Sequence, residues 1–198
     1  MNRLPFIGIA GLIGVGKSTL SESLAFALDL PHFAEPVDDN VYLSDFYSNP
    51  AKYGFEMQVY LLNRRFQQHQ EIIWSTQGGV QDRTIYEDQI FARSLADQSI
   101  IDPRSFETYK SLFLHMSNFM RLPNVIVYLE ASPEVCLDRI KRRARGVETG
   151  ITLDYLRHLD RRYQELMDEL DLQCNVITMD WTEFGDTDEV ISEIEPYF

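Results

Sequence analysis

The chain has 198 residues, 44% hydrophobic and 25% charged, a composition near the globular average that excludes a collagen-like, low-complexity or disordered protein. Its formal charge of −13, from 31 acidic and 18 basic residues, repels a polyanion along most of the surface. General nucleic-acid binding is thereby disfavoured, and any phosphate site must be local.

A chain of this size buries roughly 70% of its unfolded surface, so one domain over residues 1–198 is expected, with no need of disulfides or a structural metal. Cys136 and Cys174 stand apart from any Cys-x-x-Cys pair or histidine cluster. They read as reduced thiols of a cytoplasmic protein. The apolar stretch from Leu4 to Val15 is broken by Gly8, Gly11 and Gly14 and runs into Lys17 without a cleavage pattern. No segment reaches the roughly 18 uninterrupted apolar residues that span a bilayer, so a soluble, unprocessed protein without a membrane partner is expected.

In chain order, Leu4 to Ala10 reads as a strand ending in a glycine turn, and Lys17 to Leu30 as a helix with Leu20, Leu24, Ala27 and Leu28 at helical spacing. Pro31 stops it, and His32 to Glu35 reads as a short second strand that places Glu35 at its carboxyl end. Tyr53 to Trp74 lacks proline and carries Phe55, Val59, Leu62, Phe66 and Ile73, which predicts a long helix closed at Gly78-Gly79. Val80 to Asp82 predicts a third strand, and Ile85 to Leu95 a helix. Asp102 and Pro103 cap a helix to about Met120. Val125 to Leu129 is a fourth strand, Ser132-Pro-Glu opens a helix reaching the basic run near Arg145, Leu153 to Leu170 is another helix, and Asn175 to Met179 is a last strand before an acidic C-terminal helix. Strands alternating with helices imply an α/β protein, a five-stranded parallel sheet flanked by helices on both faces, with ligands beyond the strands' carboxyl ends.

The most specific signal is Gly11-Leu-Ile-Gly14-Val15-Gly16-Lys17-Ser18, followed by Thr19, which fits G-x-x-x-x-G-K-[ST] between a strand and a helix. Such a loop turns backbone N–H groups around phosphate oxygens, which needs glycines. Lys17 adds charge at the β- and γ-phosphates, Ser18 offers a hydroxyl to Mg²⁺, and the helix N-terminus contributes roughly half a positive charge. A nucleoside triphosphate is the expected ligand. No Asn-Lys-x-Asp guanine-reading motif is present, and the chain is short for a motor, which favours a small-molecule kinase.

Four further segments carry a resemblance: Glu35-Pro36-Val37; Gln58 within Phe55-Glu-Met-Gln-Val-Tyr60; Asp82-Arg83-Thr84-Ile-Tyr-Glu-Asp88; and Arg139-x-x-x-Arg143-x-Arg145 followed by Glu148. In order and spacing, over about residues 5 to 170, they resemble the deoxynucleoside kinase family, and most nearly its short bacterial-type deoxyadenosine and deoxyguanosine kinases. The resemblance implies a P-loop kinase fold with an arginine-rich lid at about residues 139–150, ATP as donor, Mg²⁺, and a homodimer. It makes Glu35 the base that accepts the proton of a 5′-hydroxyl. It places Asp82 near Mg²⁺, Arg83 near the phosphates and the catalytic carboxylate, and Arg139, Arg143 and Arg145 over the triphosphate.

For the acceptor it implies Gln58 at the base edge and Tyr47 and Glu148 at the sugar 3′-hydroxyl. Phe91 falls on a base face and Arg65 with Asp88 at the far end of the base, while Met57 and Leu61 narrow the pocket. A carboxamide donates and accepts together, as adenine's edge asks. An ionised Asp88 beside Arg65 favours adenine or cytosine over thymine. Deoxyadenosine is the expected preference, with deoxyguanosine or deoxycytidine as side activities, in nucleotide salvage. Asn40 departs from the animal deoxycytidine-kinase pattern, where a tryptophan stands. A nucleoside monophosphate kinase shares loop, sheet and lid, but Glu35 would repel its dianionic substrate.

Overall fold

The structure, a computed structural model, describes residues 4–36, 40–143 and 150–198. Five strands, β1 (Phe6–Gly11), β2 (His32–Phe33), β3 (Gly79–Asp82), β4 (Val125–Glu130) and β5 (Asn175–Asp180), pair in parallel in the order β2-β3-β1-β4-β5. All six residues of β1 and the first five of β4 are buried. Successive side chains of a strand point to opposite faces, so both faces of the central strands are covered.

The helices are α1 (Lys17–Ala27), α2 (Leu43–Ser48), α3 (Pro50–Trp74), α4 (Asp88–Asp97), α5 (Pro103–Ser117), α6 (Pro133–Arg143), α7 (Leu153–Asp171) and α8 (Thr187–Ile194). The main core lies on the sheet, where α1 meets β1, β3 and α8, and α7 meets β5, α4 and α6. A second apolar cluster, with Leu62, Leu95, Phe106, Tyr109 and Phe113, joins α3, α4 and α5 to one another. The sheet carries the loop, and this helical layer builds the wall opposite.

Several boundaries differ from the sequence reading. α1 ends at Ala27 rather than Leu30, because Asp29 takes a left-handed conformation (φ 53°) and Leu30 N–H turns back to Ala25 O at 2.9 Å. α3 starts at Pro50, ahead of Tyr53, since Asn49 Oδ1 accepts from Lys52 N–H at 3.2 Å and proline suits the first helical position. The six-residue α2 was not expected; it buries no residue, and its Leu43, Phe46 and Tyr47, at i, i+3 and i+4, line the cavity instead. The helix expected over Ile85 to Leu95 is a 3₁₀ turn, Ile85–Glu87, followed by α4, and α5 ends at Ser117 rather than Met120.

Candidate functional site

The phosphate-loop motif occupies the turn from β1 into α1. Gly14 and Gly16 have φ of 84° and 117°, and a Cβ on Gly14 would lie 2.7 Å from Cys136 O, a backbone atom that cannot yield. Only glycine fits there. Lys17 is buried and its Nζ donates to Gly11 O (3.1 Å) and Leu12 O (2.9 Å). Burial and the Arg83 charge pull its pKa down to about 8, against Glu35, Asp82 and Glu87, which raise it. Ser18 Oγ donates to Asp82 Oδ2 at 2.6 Å, and Asp82 Oδ1 is buried without a partner among the described residues. Asp82 reaches this place because β3 pairs with β1 in a register that sets Ile9 opposite Asp82.

The next layer is ionic. Arg83 directly follows β3 in a left-handed conformation (φ 65°), and its Nε donates to Glu35 Oε1 at 2.6 Å. Arg65, on α3, donates from Nη2 to the same oxygen at 2.8 Å and from Nη1 to Asp88 Oδ1. Both guanidinium groups therefore end on Oε1, and among the described residues nothing is bonded to Oε2. Burial pushes the Glu35 carboxyl up, but Arg83, Arg65 and Lys17 together outweigh it and hold the pKa at about 2. Asp88 behaves oppositely. Burial, helped by Glu87 and Glu35, outweighs Arg65 and Arg83 and raises it to about 7.

One cavity of about 530 Å³ joins these groups, within the range of small-molecule sites. Of the expected residues, Gly14, Gly16, Lys17, Ser18, Thr19, Glu35, Tyr47, Met57, Gln58, Leu61, Arg65, Arg83, Phe91 and Arg143 line it. Gln58 is buried and its Oε1 has no partner among the described residues, a polar group open to a ligand. Phe91 presents its ring to the Arg83 guanidinium at 4.7 Å.

Gly11, Val15, Asp82, Asp88 and Arg139 are not among the lining residues. Gly11 and Val15 shape the loop from behind. Asp88 is 1% exposed and pairs with Arg65, whose other nitrogen is on Glu35, so the pair is linked to that carboxylate. Arg139, expected to reach over phosphates, instead donates to Val15 O (2.9 Å) and Thr182 O (3.0 Å) and covers the Phe184 ring at 4.1 Å. It braces the loop against the segment after β5. Arg145 and Glu148, and Val37 of the Glu-Pro-Val segment, lie outside the described residues.

Sequence reasoning assigned no role to Tyr155, Gln98 or Leu95, which line the cavity, nor to Glu87 and Tyr163, which contact Arg83 from behind. Glu87 had a legible signal. Thr84-x-x-Glu87 is a capping box, and both of its hydrogen bonds are made. Tyr163 had none beyond its place on the apolar face of α7.

Comparison with known proteins matches residues 7–195 to the family model described as deoxynucleoside kinase. The chain is 49% identical over 189 residues to a deoxyadenosine kinase of Dictyostelium discoideum, covering 96% of this chain and 77% of the relative. It is 39% identical over 161 residues to a deoxyadenosine/deoxycytidine kinase of Bacillus subtilis, covering 80% and 74%. The solved structure of a deoxyadenosine kinase from M. mycoides with bound dATP superposes with a TM-score of 0.82 at 29% identity, covering 96% and 97% of the two chains.

Proposed function

Because the chain belongs to the deoxynucleoside kinase family, we propose that its cavity transfers the γ-phosphoryl group of ATP to the 5′-hydroxyl of a deoxynucleoside, deoxyadenosine preferred. The observation that carries the reading is that one cavity holds the phosphate loop and the Glu35 carboxylate together.

The chemistry follows from that layout. The loop's N–H groups and Lys17 bind the donor's phosphates, and Arg83 and Arg143 supply charge where the transferring phosphoryl spreads its own. Glu35 orients the acceptor hydroxyl and takes its proton. A carboxylate held near 2 is a weak base in the ground state. A loose transition state asks for little deprotonation of the nucleophile, so the proton moves late.

Mg²⁺ would be held by Ser18 and Asp82. The donors are oxygens, as a hard cation requires, and Asp82 Oδ1 is a buried acceptor without a partner among the described residues. The rest of its shell would come from phosphates and water. When bound, the ion offsets negative charge on the triphosphate.

On the acceptor side, the Gln58 carboxamide pairs with adenine's N6 and N7 edge, Phe91, Met57 and Leu61 contact the ring, and Tyr47 takes the sugar. The names of the Dictyostelium and Bacillus relatives support adenine, with guanine or cytosine as side activities. The apolar Leu114 and Phe119, at the end of α5, are exposed by 65% and 67% and suit a homodimer. Both thiols are pushed up to about 11 by burial, which suits reduced cysteines in a cytoplasmic salvage enzyme.

The test is a steady-state panel of the four deoxynucleosides, their ribose forms and their monophosphates with ATP and Mg²⁺. The highest kcat/KM is expected for deoxyadenosine. Turnover of monophosphates in place of nucleosides would overturn the reaction class, and a preference for thymidine would overturn the base assignment.

A further inference from the structure

We propose that Glu87 and Tyr163 are positioning residues, a buried carboxylate and phenol that aim Arg83 at Glu35 without touching either substrate. The inference rests on the reading of Glu35 and Arg83 given above and adds two residues to it.

Arg83 needs such support. Its left-handed backbone is unfavourable for a residue with a Cβ and persists only where the surroundings over-determine it. Its N–H is on Ile9 O at 3.0 Å, which anchors the backbone but leaves the long side chain to be directed. That direction comes from the far end. Nη1 donates to Glu87 Oε2 at 3.4 Å and to Tyr163 Oη, while Nε on the other side meets Glu35.

Neither residue is explained by folding alone. Glu87 is wholly buried, which is costly for a carboxylate unless it is paired. Capping accounts for one of its oxygens, Oε1, which accepts from Thr84 N–H at 2.7 Å and Thr84 Oγ1 at 3.3 Å. Oε2 takes no part in the cap; it receives Arg83 and the Tyr163 hydroxyl, the latter at 2.8 Å. The Tyr163 ring is accounted for by packing, stacked on Tyr128 at 6.1 Å and edge-on to Phe91 at 6.4 Å. Its hydroxyl is not, since phenylalanine would pack the same way. The hydroxyl's partners are Glu87 and Arg83, and it ties α7 to the end of β3.

The test is a double-mutant cycle between Tyr163→Phe and Glu35→Gln, with thermal unfolding recorded for each protein. Tyr163→Phe is expected to lower kcat about tenfold, the scale of one misplaced charge-assisted hydrogen bond, with KM for ATP and for the nucleoside within about twofold of wild type. In the Glu35→Gln background the same substitution is expected to have little further effect, because the proton-accepting carboxylate that Arg83 positions is gone, although the amide oxygen still accepts from Arg83. A residue that merely stabilised the fold would lower the rate by the same factor in both backgrounds. Glu87→Gln keeps the shape and the cap, should give the same pattern, and serves if Tyr163→Phe does not fold.

Wild-type turnover of Tyr163→Phe, or equal losses in the two backgrounds, would overturn the proposal while a crippled Glu35→Gln left the reading of Glu35 standing. Full activity in Glu35→Gln itself would overturn that reading, and the positioning role with it.

Discussion

The two ends of the cavity are made of different material. The loop end is backbone: the turn from β1 into α1 is shaped by glycines, with Gly14 and Gly16 at φ 84° and 117°. The carboxylate end is side chains from separate elements, Glu35 after β2, Gln58 and Arg65 on α3, Arg83 after β3 and Phe91 on α4. A backbone cradle accepts any phosphate tail, whereas a side-chain wall selects one partner by shape and hydrogen bonding. The difference predicts that changes at the loop end alter donor affinity and changes at the far wall alter rate or base choice.

Four substitutions test that division, in falling order of effect. Glu35→Gln keeps the shape but removes the proton acceptor, so kcat is expected to fall by about 10²–10⁴ while ATP still protects the protein in a thermal-shift assay. Loss of that protection would join the two ends into one unit.

Gly16→Ala puts a Cβ at φ 117°, 2.9 Å from Phe184, a strain of about 1–3 kcal/mol. The left-handed strain falls on the turn that presents N–H groups to phosphates, so the KM for ATP should rise about ten- to a hundredfold with the KM for the nucleoside unchanged. Gln58→Leu is the mirror experiment. It should lower kcat/KM for deoxyadenosine by about tenfold and leave ATP alone. It should also raise the melting temperature without ligand, because a buried oxygen without a partner among the described residues, costing about 1–3 kcal/mol, is removed.

The smallest effect is on pH. A lysine loses its charge as pH rises through its pKa, and Lys17 stands at about 8. In the free enzyme kcat/KM for ATP should therefore be half-maximal near pH 8 and fall further above it, while the residual activity of Lys17→Arg should lack that limb. A basic limb unmoved by Lys17→Arg would assign it to another group. On the acid side Glu35 remains ionised down to about pH 2, so protonation of Glu35 should produce no loss of rate between pH 5 and 7.

The same contrast explains what could be read from sequence. The loop motif is contiguous, and its mechanics require a strand before it and a helix after it, so β1, α1 and the phosphate site were legible together. Strand positions were legible from short apolar runs between Gly, Pro and Asn, and α3 and α7 from their length and spacing. At the far wall, composition and periodicity offered only candidate core aromatics and surface polars; it was the family resemblance that singled out Glu35, Gln58 and Arg65. Arg139 shows where even that guide falls short. Its number in the basic run was plain, but not that its guanidinium turns to Val15 O and Thr182 O.

What the amino-acid order determined by itself is local: glycines where a backbone must reverse, apolar periodicity where a strand or helix must be covered, and a cation-bearing helix start behind the loop. What tertiary structure alone decided is which distant side chains share a charge. The strand order β2-β3-β1-β4-β5 brings the ends of β2 and β3 beside the loop, so that Glu35, Arg83 and Lys17 share one cavity. The helices packed over them bring Arg65, Glu87 and Tyr163 within hydrogen-bond reach of that cluster. Hydrogen bonds and Coulomb forces act over a few ångströms of space, and that distance is set by packing, not by separation along the chain.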